Sequence, residues 1–215
     1  MDTTLKFERN TTQEYLDTFI NDLPNPEEIL DVSIHFSKIK NLRCLSRLCN
    51  LERLDVSDSL FSDLEPLRHL VNLRYLDVRL NPITDLGVIS DLVNLEKLYI
   101  ACCHITDLGF LSGLVNLEKL NIAANSISDL KPLSGLVNLR ELNIRWNRIS
   151  DVEALKYMFK LEKLQHLQHL RGSKSTKIVN TIKGNKRQSI LLESTLPRNY
   201  KCPLSNLREF GILGL

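Results

Sequence analysis

The sequence repeats itself every 22 residues, and that period limits the fold before any other property does. LSGLVNLEKLNIAANSISDLKP (Leu111–Pro132) is followed at once by LSGLVNLRELNIRWNRISDVEA (Leu133–Ala154). Upstream lie ISDLVNLEKLYIACCHITDLGF (Ile89–Phe110), LRHLVNLRYLDVRLNPITDLGV (Leu67–Val88) and LSRLCNLERLDVSDSLFSDLEP (Leu45–Pro66). A degenerate unit, Leu23–Cys44, keeps Ile29, Val32, Ile34, Ile39 and Leu42 in register. A seventh begins at Leu155 and keeps Met158, Leu161 and Leu164, but His166 then falls where an apolar residue is due. Such a chain is a stack of like units. Each is too small to bury its own apolar face, so stability comes from neighbours sharing one core.

Within a unit, Leu117, Leu120 and Ile122 have the spacing of a strand with alternating inward residues. The return leg carries Ile127, Leu130, Leu133 and Leu136. Asn81, Asn125 and Asn147 follow their strands at one offset, where an amide can satisfy the backbone of an adjacent coil. Asp63, Asp85, Asp107, Asp129 and Asp151 recur at another and are placed to cap the short helical turn that follows.

This pattern resembles the leucine-rich-repeat family in its 22-residue form, known from a regulatory subunit of type 1 protein phosphatase, an axonemal dynein light chain and bacterial internalins. The resemblance implies an α/β solenoid: a right-handed coil with a parallel β-sheet on the concave face and short helical or irregular turns on the convex face. It implies partners such as a phosphatase catalytic subunit or a cytoskeletal motor. Shared repeat residues build the coil and leave the partner open.

The expected organisation is a capping helix over 1–22, a solenoid over 23–170 with about six full repeats and a partial seventh, and a basic, partly flexible extension over 171–215. Thr11 and Glu14 have capping-box spacing, with Tyr15, Leu16, Phe19 and Ile20 on one helical face. At the other end, leucines and Met158 recur every three residues to Leu170, so the strand is expected to give way to a helical turn. The stretch from Ile190 is apolar enough to fold back on the coil or to bind something else, and LSNLREFGIL from Leu204 echoes the repeat.

Net charge is only +2, so nothing global calls for nucleic acid. From Arg171 onward, however, nine Lys/Arg face two Asp/Glu, a net +7 that leaves −5 for the rest. That segment could touch nucleic acid or an acidic membrane surface. No apolar run is long enough to cross a bilayer, and no N-terminal stretch has the basic-then-apolar shape of a signal peptide. The expectation is cytoplasmic or nuclear, away from the exported internalins. Five cysteines fit a reducing compartment. Cys49 stands where other units have Val71, Val93, Val115 and Val137 and reads as a small core residue; Cys103 stands in place of the turn Asn.

Function is expected in the residues that vary. The outward strand positions form columns: Asp31, Arg53, Tyr75, Lys97, Lys119, Glu141, Lys163; then Ser33, Asp55, Asp77, Tyr99, Asn121, Asn143, Gln165; then His35, Ser57, Arg79, Ala101, Ala123, Arg145. Next come Phe36, Asp58, Leu80, Cys102, Ala124 and Trp146. Small residues at 101, 102, 123 and 124 lie between Arg79 and Leu80 on one side and Arg145 and Trp146 on the other. They suggest a shallow hollow rimmed by residue types enriched at interface hot spots. The alternative is that they relieve crowding on a curved sheet and that Trp146 packs locally. The candidate partner-binding residues are Tyr75, Asp77, Arg79, Tyr99, Ala101, Asn121, Ala123, Asn143, Arg145 and Trp146. Asp55 and Asp77 read as a surface charge network neutralised by Arg53 and Arg79.

Catalytic chemistry finds no support: there is no nucleophile–base pair, phosphate loop or carboxylate dyad, and no cofactor or metal is expected. The pair Cys102–Cys103 lacks a second pair to complete a metal site, and His166 with His169 lacks further ligands. KRQS (Lys186–Ser189) resembles a basophilic kinase site. The sequence therefore points to a non-enzymatic module that docks a protein on its concave face, as a scaffold or regulatory subunit. The alternative is a structural component of a larger assembly, anchored through the basic C-terminal extension.

Overall fold

Every unit contributes one three-residue strand at the place its LxxLxI pattern requires. In chain order the elements are β1 (Thr4–Lys6), α1 (Gln13–Asn21), β2 (Asp31–Ser33), β3 (Arg53–Asp55), β4 (Tyr75–Asp77), β5 (Lys97–Tyr99), β6 (Lys119–Asn121), β7 (Glu141–Asn143), β8 (Lys163–Gln165) and β9 (Leu191–Leu192). This computed structural model describes residues 3–165 and the backbone of 191–192. The strands form one parallel sheet in sequence order. Its register follows the period, so that Leu54, Leu76, Leu98, Leu120, Leu142 and Leu164 stand side by side.

That row is buried, and so is the row Leu73, Leu95, Leu117 and Leu139. Val78, Ile100, Ile122 and Ile144 complete the strand side of the core, and Leu67, Ile89, Leu111, Leu133 and Leu155 close it from the turn side. Fully burying one leucine stabilises by about 1.5–3 kcal/mol. Because each leucine touches its copies in the coils above and below, no unit is stable alone. The degenerate first unit belongs to the same core: Ile29, Val32, Ile34, Ile39 and Leu42 are all buried.

The turn side is a series of 3-10 helices, among them Arg43–Arg47, Glu65–Leu67, Gly87–Asp91, Gly109–Leu111, Lys131–Gly135 and Glu153–Tyr157. The recurrent aspartates start the last five, and Asn41 starts the first. Asp63, Asp85, Asp107, Asp129 and Asp151 each accept from the backbone N–H two residues on, at 2.7–3.1 Å. The turn asparagines do what their offset suggests. Asn125 accepts from the N–H groups of Cys103 and Ile105 and donates to the carbonyls of Ile100, Ile122 and Ala123. Asn81 and Asn147 repeat the pattern. Cys103 fills that place in its own coil, its thiol donating to Val78 O and Ala101 O, and burial pushes it up to about 12.

Phe36, Asp58, Leu80, Cys102, Ala124 and Trp146, at one offset of six successive coils, adopt φ of 51–60°. A left-handed residue other than glycine costs about 1–2 kcal/mol. It carries the chain from strand to turn while its N–H bonds the neighbouring coil, as from Leu80 to Ala101 O and from Cys102 to Ala123 O, both 3.1 Å.

Four expectations need correcting. The N-terminal cap is a strand as well as a helix: β1 pairs parallel with β2. The helix starts one residue later than the capping box suggested, with Thr12 Oγ1 accepting from Tyr15 N at 3.2 Å. Leu16 and Ile20 are buried against the first coil, whereas Tyr15 and Phe19 stay largely exposed. At the far end β8 keeps strand register with β7 as far as Gln165, and β9 pairs parallel with β8; the rest of the expected helical turn, to Leu170, lies outside the described residues. Finally, Cys49 is exposed, not core. Its column is outward throughout, with Val71, Val93, Val115 and Val137 at 47–49% exposure and Phe159 at 60%. The leucines on either side take the interior. The residue between points out, and its carbonyl accepts from the asparagine of the next coil (Asn72, Asn94, Asn116 and Asn138, 2.9–3.3 Å). The expectations for His166, His169, Ser189 and the 171–189 stretch lie outside the described residues.

Candidate protein-binding face

Columns that are remote in sequence come together on the sheet face because the strands stand in 22-residue register. Toward the N-terminal half, four side chains form a continuous stack. The Arg53 guanidinium lies 3.4 Å from the centre of the Tyr75 ring, Tyr75 and Tyr99 lie 5.3 Å apart, and Arg79 lies 5.6 Å from the Tyr99 ring. Such cation–π contacts contribute about 0.5–2 kcal/mol each and hold the rings in place.

Beneath them Asp77 is completely buried, and both its oxygens accept from the Arg79 guanidinium at 2.6–3.0 Å. Burial pushes the Asp77 carboxyl up, and the Arg79 fork opposes that; Arg79 itself is raised by the carboxylate it holds. Burial also raises the phenols of Tyr75 and Tyr99. Arg53 does not neutralise Asp55 as expected. It pairs with Asp31 at 3.5 Å, and Asp55 accepts from the N–H and hydroxyl of Ser57.

Toward the C-terminal half a shallow hollow of about 180 Å³ is lined by Tyr99, Lys119, Leu120, Asn121, Glu141, Leu142, Asn143, Lys163 and Gln165. Lys119 Nζ donates to Glu141 at 2.5 Å across β6 and β7. The hollow therefore sits over β5–β8, on the first two columns. Ala101, Cys102 and Ala123 are buried beside it, Arg145 is buried, and Trp146 is half-buried instead of exposed. Sequence reasoning named Tyr99, Asn121 and Asn143 and left out Lys119, Glu141, Lys163 and Gln165. The facing opposite charges of Lys119 and Glu141 were a signal for that place. A wider hollow of about 570 Å³ lies on the turn side between Ile83 and Phe110. The carboxylates there, Asp85 and Asp107, are engaged in capping.

With this geometry on hand, comparison with known proteins gives a consistent result. The family model described as leucine rich repeats (2 copies) matches at 71–113, 93–135 and 115–157. Residues 71–157 thus carry leucine-rich repeats, and the described coil has the leucine-rich-repeat solenoid fold. A search of curated proteins finds no match. Among solved structures, the leucine-rich-repeat coil is similar to the internalin InlF of Listeria monocytogenes (22% identity, TM-score 0.69, covering 82% of this chain and 51% of that one). It is similar to the internalin C2 of the same species (25% identity, TM-score 0.68, covering 81% and 78%). It also resembles a leucine-rich-repeat protein of Leptospira interrogans (18% identity, TM-score 0.72, covering 88% and 48%). The chain thus spans about half the length of the first and third of these. Leucine-rich-repeat folds are general protein–protein interaction modules, and among the described residues no helix is long and apolar enough to cross a membrane.

Proposed function

We propose that this chain is a non-enzymatic, intracellular interaction module that grips a protein partner with the sheet face of its solenoid, in a scaffold or regulatory role. One observation carries the reading: Arg53, Tyr75, Tyr99 and Arg79 are stacked and anchored on that face before any partner arrives. Tyr and Arg dominate interface hot spots, and pre-ordered side chains lose little entropy on binding. Eight strands at a spacing of roughly 4.8 Å, with about 16 Å of usable length each, offer on the order of 540 Å². A standard interface takes roughly 800 Å² from each partner, so neighbouring loops contribute the rest. A phosphatase catalytic subunit and a cytoskeletal motor are the partner classes that the family resemblance suggests.

The test is affinity purification from the native source with wild-type chain and a Tyr75→Ala/Tyr99→Ala variant, with thermal melts confirming that both are folded. Recovery of the specific partner falls at least about tenfold with the variant. Equal recovery would remove the stack from the binding surface. A second reading, a component anchored through residues 171–215, draws on the +7 charge of that segment. Changing Lys174, Lys177, Lys183 and Lys186 to Gln separates the two, because only an anchored component then loses its assembly.

A further inference from the structure

We infer that the hollow over β5–β8 receives an acidic, extended segment of the protein partner, held by the side-chain amides of Asn121 and Asn143 beside Lys97 and Lys119. This rests on the sheet face being the binding face, and it adds the chemistry of the occupant.

The second strand column makes one structural bond in four coils. Asp55, Asp77, Asn121 and Asn143 each accept, through one side-chain oxygen, from the backbone N–H two residues on, at 3.1–3.2 Å. That bond needs an oxygen and nothing more, so aspartate and asparagine serve equally, and this chain uses both. On β4 the carboxylate is consumed by Arg79. On β6 and β7 the residue is an amide, whose oxygen is engaged and whose Nδ2 has no partner among the described residues. Both asparagines line the hollow, and neither amide nitrogen is taken up by the backbone bond that holds its oxygen.

The charge around them has the same sense. Over β5–β8 the first two columns carry three lysines against one glutamate, and that glutamate is held by Lys119. Over β2–β4 the same columns carry three aspartates against one arginine. A row of amide donors beside ammonium groups is complementary to carboxylates and backbone carbonyls, and charge-assisted bonds of this kind are the stronger ones. Over β2–β4 Arg79 neutralises Asp77 and Arg53 pairs with Asp31, so that half offers no excess of positive charge and the segment sits over β5–β8.

The test uses the full chain, a short fluorescein-labelled peptide of alternating glutamate and serine, and its glutamine-for-glutamate counterpart. The basic C-terminal segment attracts the acidic probe too, so the deciding variant is Asn121→Asp/Asn143→Asp. It keeps the backbone bond, as Asp55 and Asp77 show it can, and replaces donors by acceptors. A Ser134→Asp/Ser150→Asp variant on the turn side controls for net charge. The acidic peptide is expected to shift the side-chain NH₂ signals of Asn121 and Asn143. It should bind the double Asn→Asp variant at least about tenfold more weakly than the charge-matched control, whereas the glutamine peptide distinguishes the two proteins little. Equal affinity for the two variants overturns the inference, as does a single-stranded oligonucleotide that moves the two NH₂ signals more than the peptide does. If the Tyr75/Tyr99 variant abolishes partner capture while the acidic probe ignores Asn121 and Asn143, only this inference fails. If capture ignores both, the reading beneath it fails as well.

Discussion

Asparagines recur at three offsets of this coil, and they differ in which end of the amide the backbone consumes. In the buried turn column, Asn125 spends oxygen and nitrogen alike on five backbone groups of two coils. In the edge column, Asn116 spends its nitrogen on Val93 O and leaves its oxygen outward. In the strand column, Asn121 and Asn143 spend their oxygens and leave nitrogen outward. A repeated residue is thus not one thing. Hydrogen-bond accounting separates an amide that is all scaffold from one that is half scaffold and half surface.

Substitutions can break that contrast, beginning with the most costly. Asn125→Ala strands the N–H groups of Cys103 and Ile105 and the carbonyl of Ile100, while Ile122 O and Ala123 O keep their bonds from Asn147 and Cys102; at about 1–3 kcal/mol per unsatisfied buried group, partly relieved by water, the expected loss is roughly 3–4 kcal/mol in urea unfolding. Asn125→Asp should lose most of this too, since a carboxylate cannot donate to three carbonyls. Asn116→Ala removes one exposed bond and should cost about 1 kcal/mol or less. The strand column should tolerate Asn121→Asp/Asn143→Asp within about 0.5 kcal/mol, with the effect confined to binding. The smallest effect on stability comes from alkylating Cys49 beside the edge column. Peptide mapping after iodoacetamide treatment at mildly alkaline pH should find Cys49 modified. Cys44 and Cys103, which burial pushes up to about 12, should be spared.

Repetition made the scaffold readable. The leucine rows, the strand positions, the capping aspartates and the turn asparagines each recur at one offset, so independent copies report the same constraint. What escaped notice had no copies or misled by type. β1 is a single strand, TLK, without the repeat pattern, and it shows itself only by pairing with β2. The Val71 column looked like core because valine usually is, although apolar residues commonly stay exposed. It was position between two inward leucines that decided. The binding face was partly legible. Tyr75, Tyr99, Asn121 and Asn143 could be placed on it by counting. The Arg53–Tyr75 stack, the burial of Asp77 and Arg145, and the displacement of the hollow to Lys119, Glu141 and Gln165 depend on side-chain directions that a period does not specify.

The central claim is that the strand column offers its nitrogens while the turn column offers nothing. Side-chain NH₂ exchange with solvent, followed by NMR for assigned asparagines, tests it most directly. Asn81 and Asn125 should be strongly protected, whereas Asn121 and Asn143 should exchange at rates close to those of a free amide. Protection of Asn121 and Asn143 equal to that of Asn125 would contradict the account.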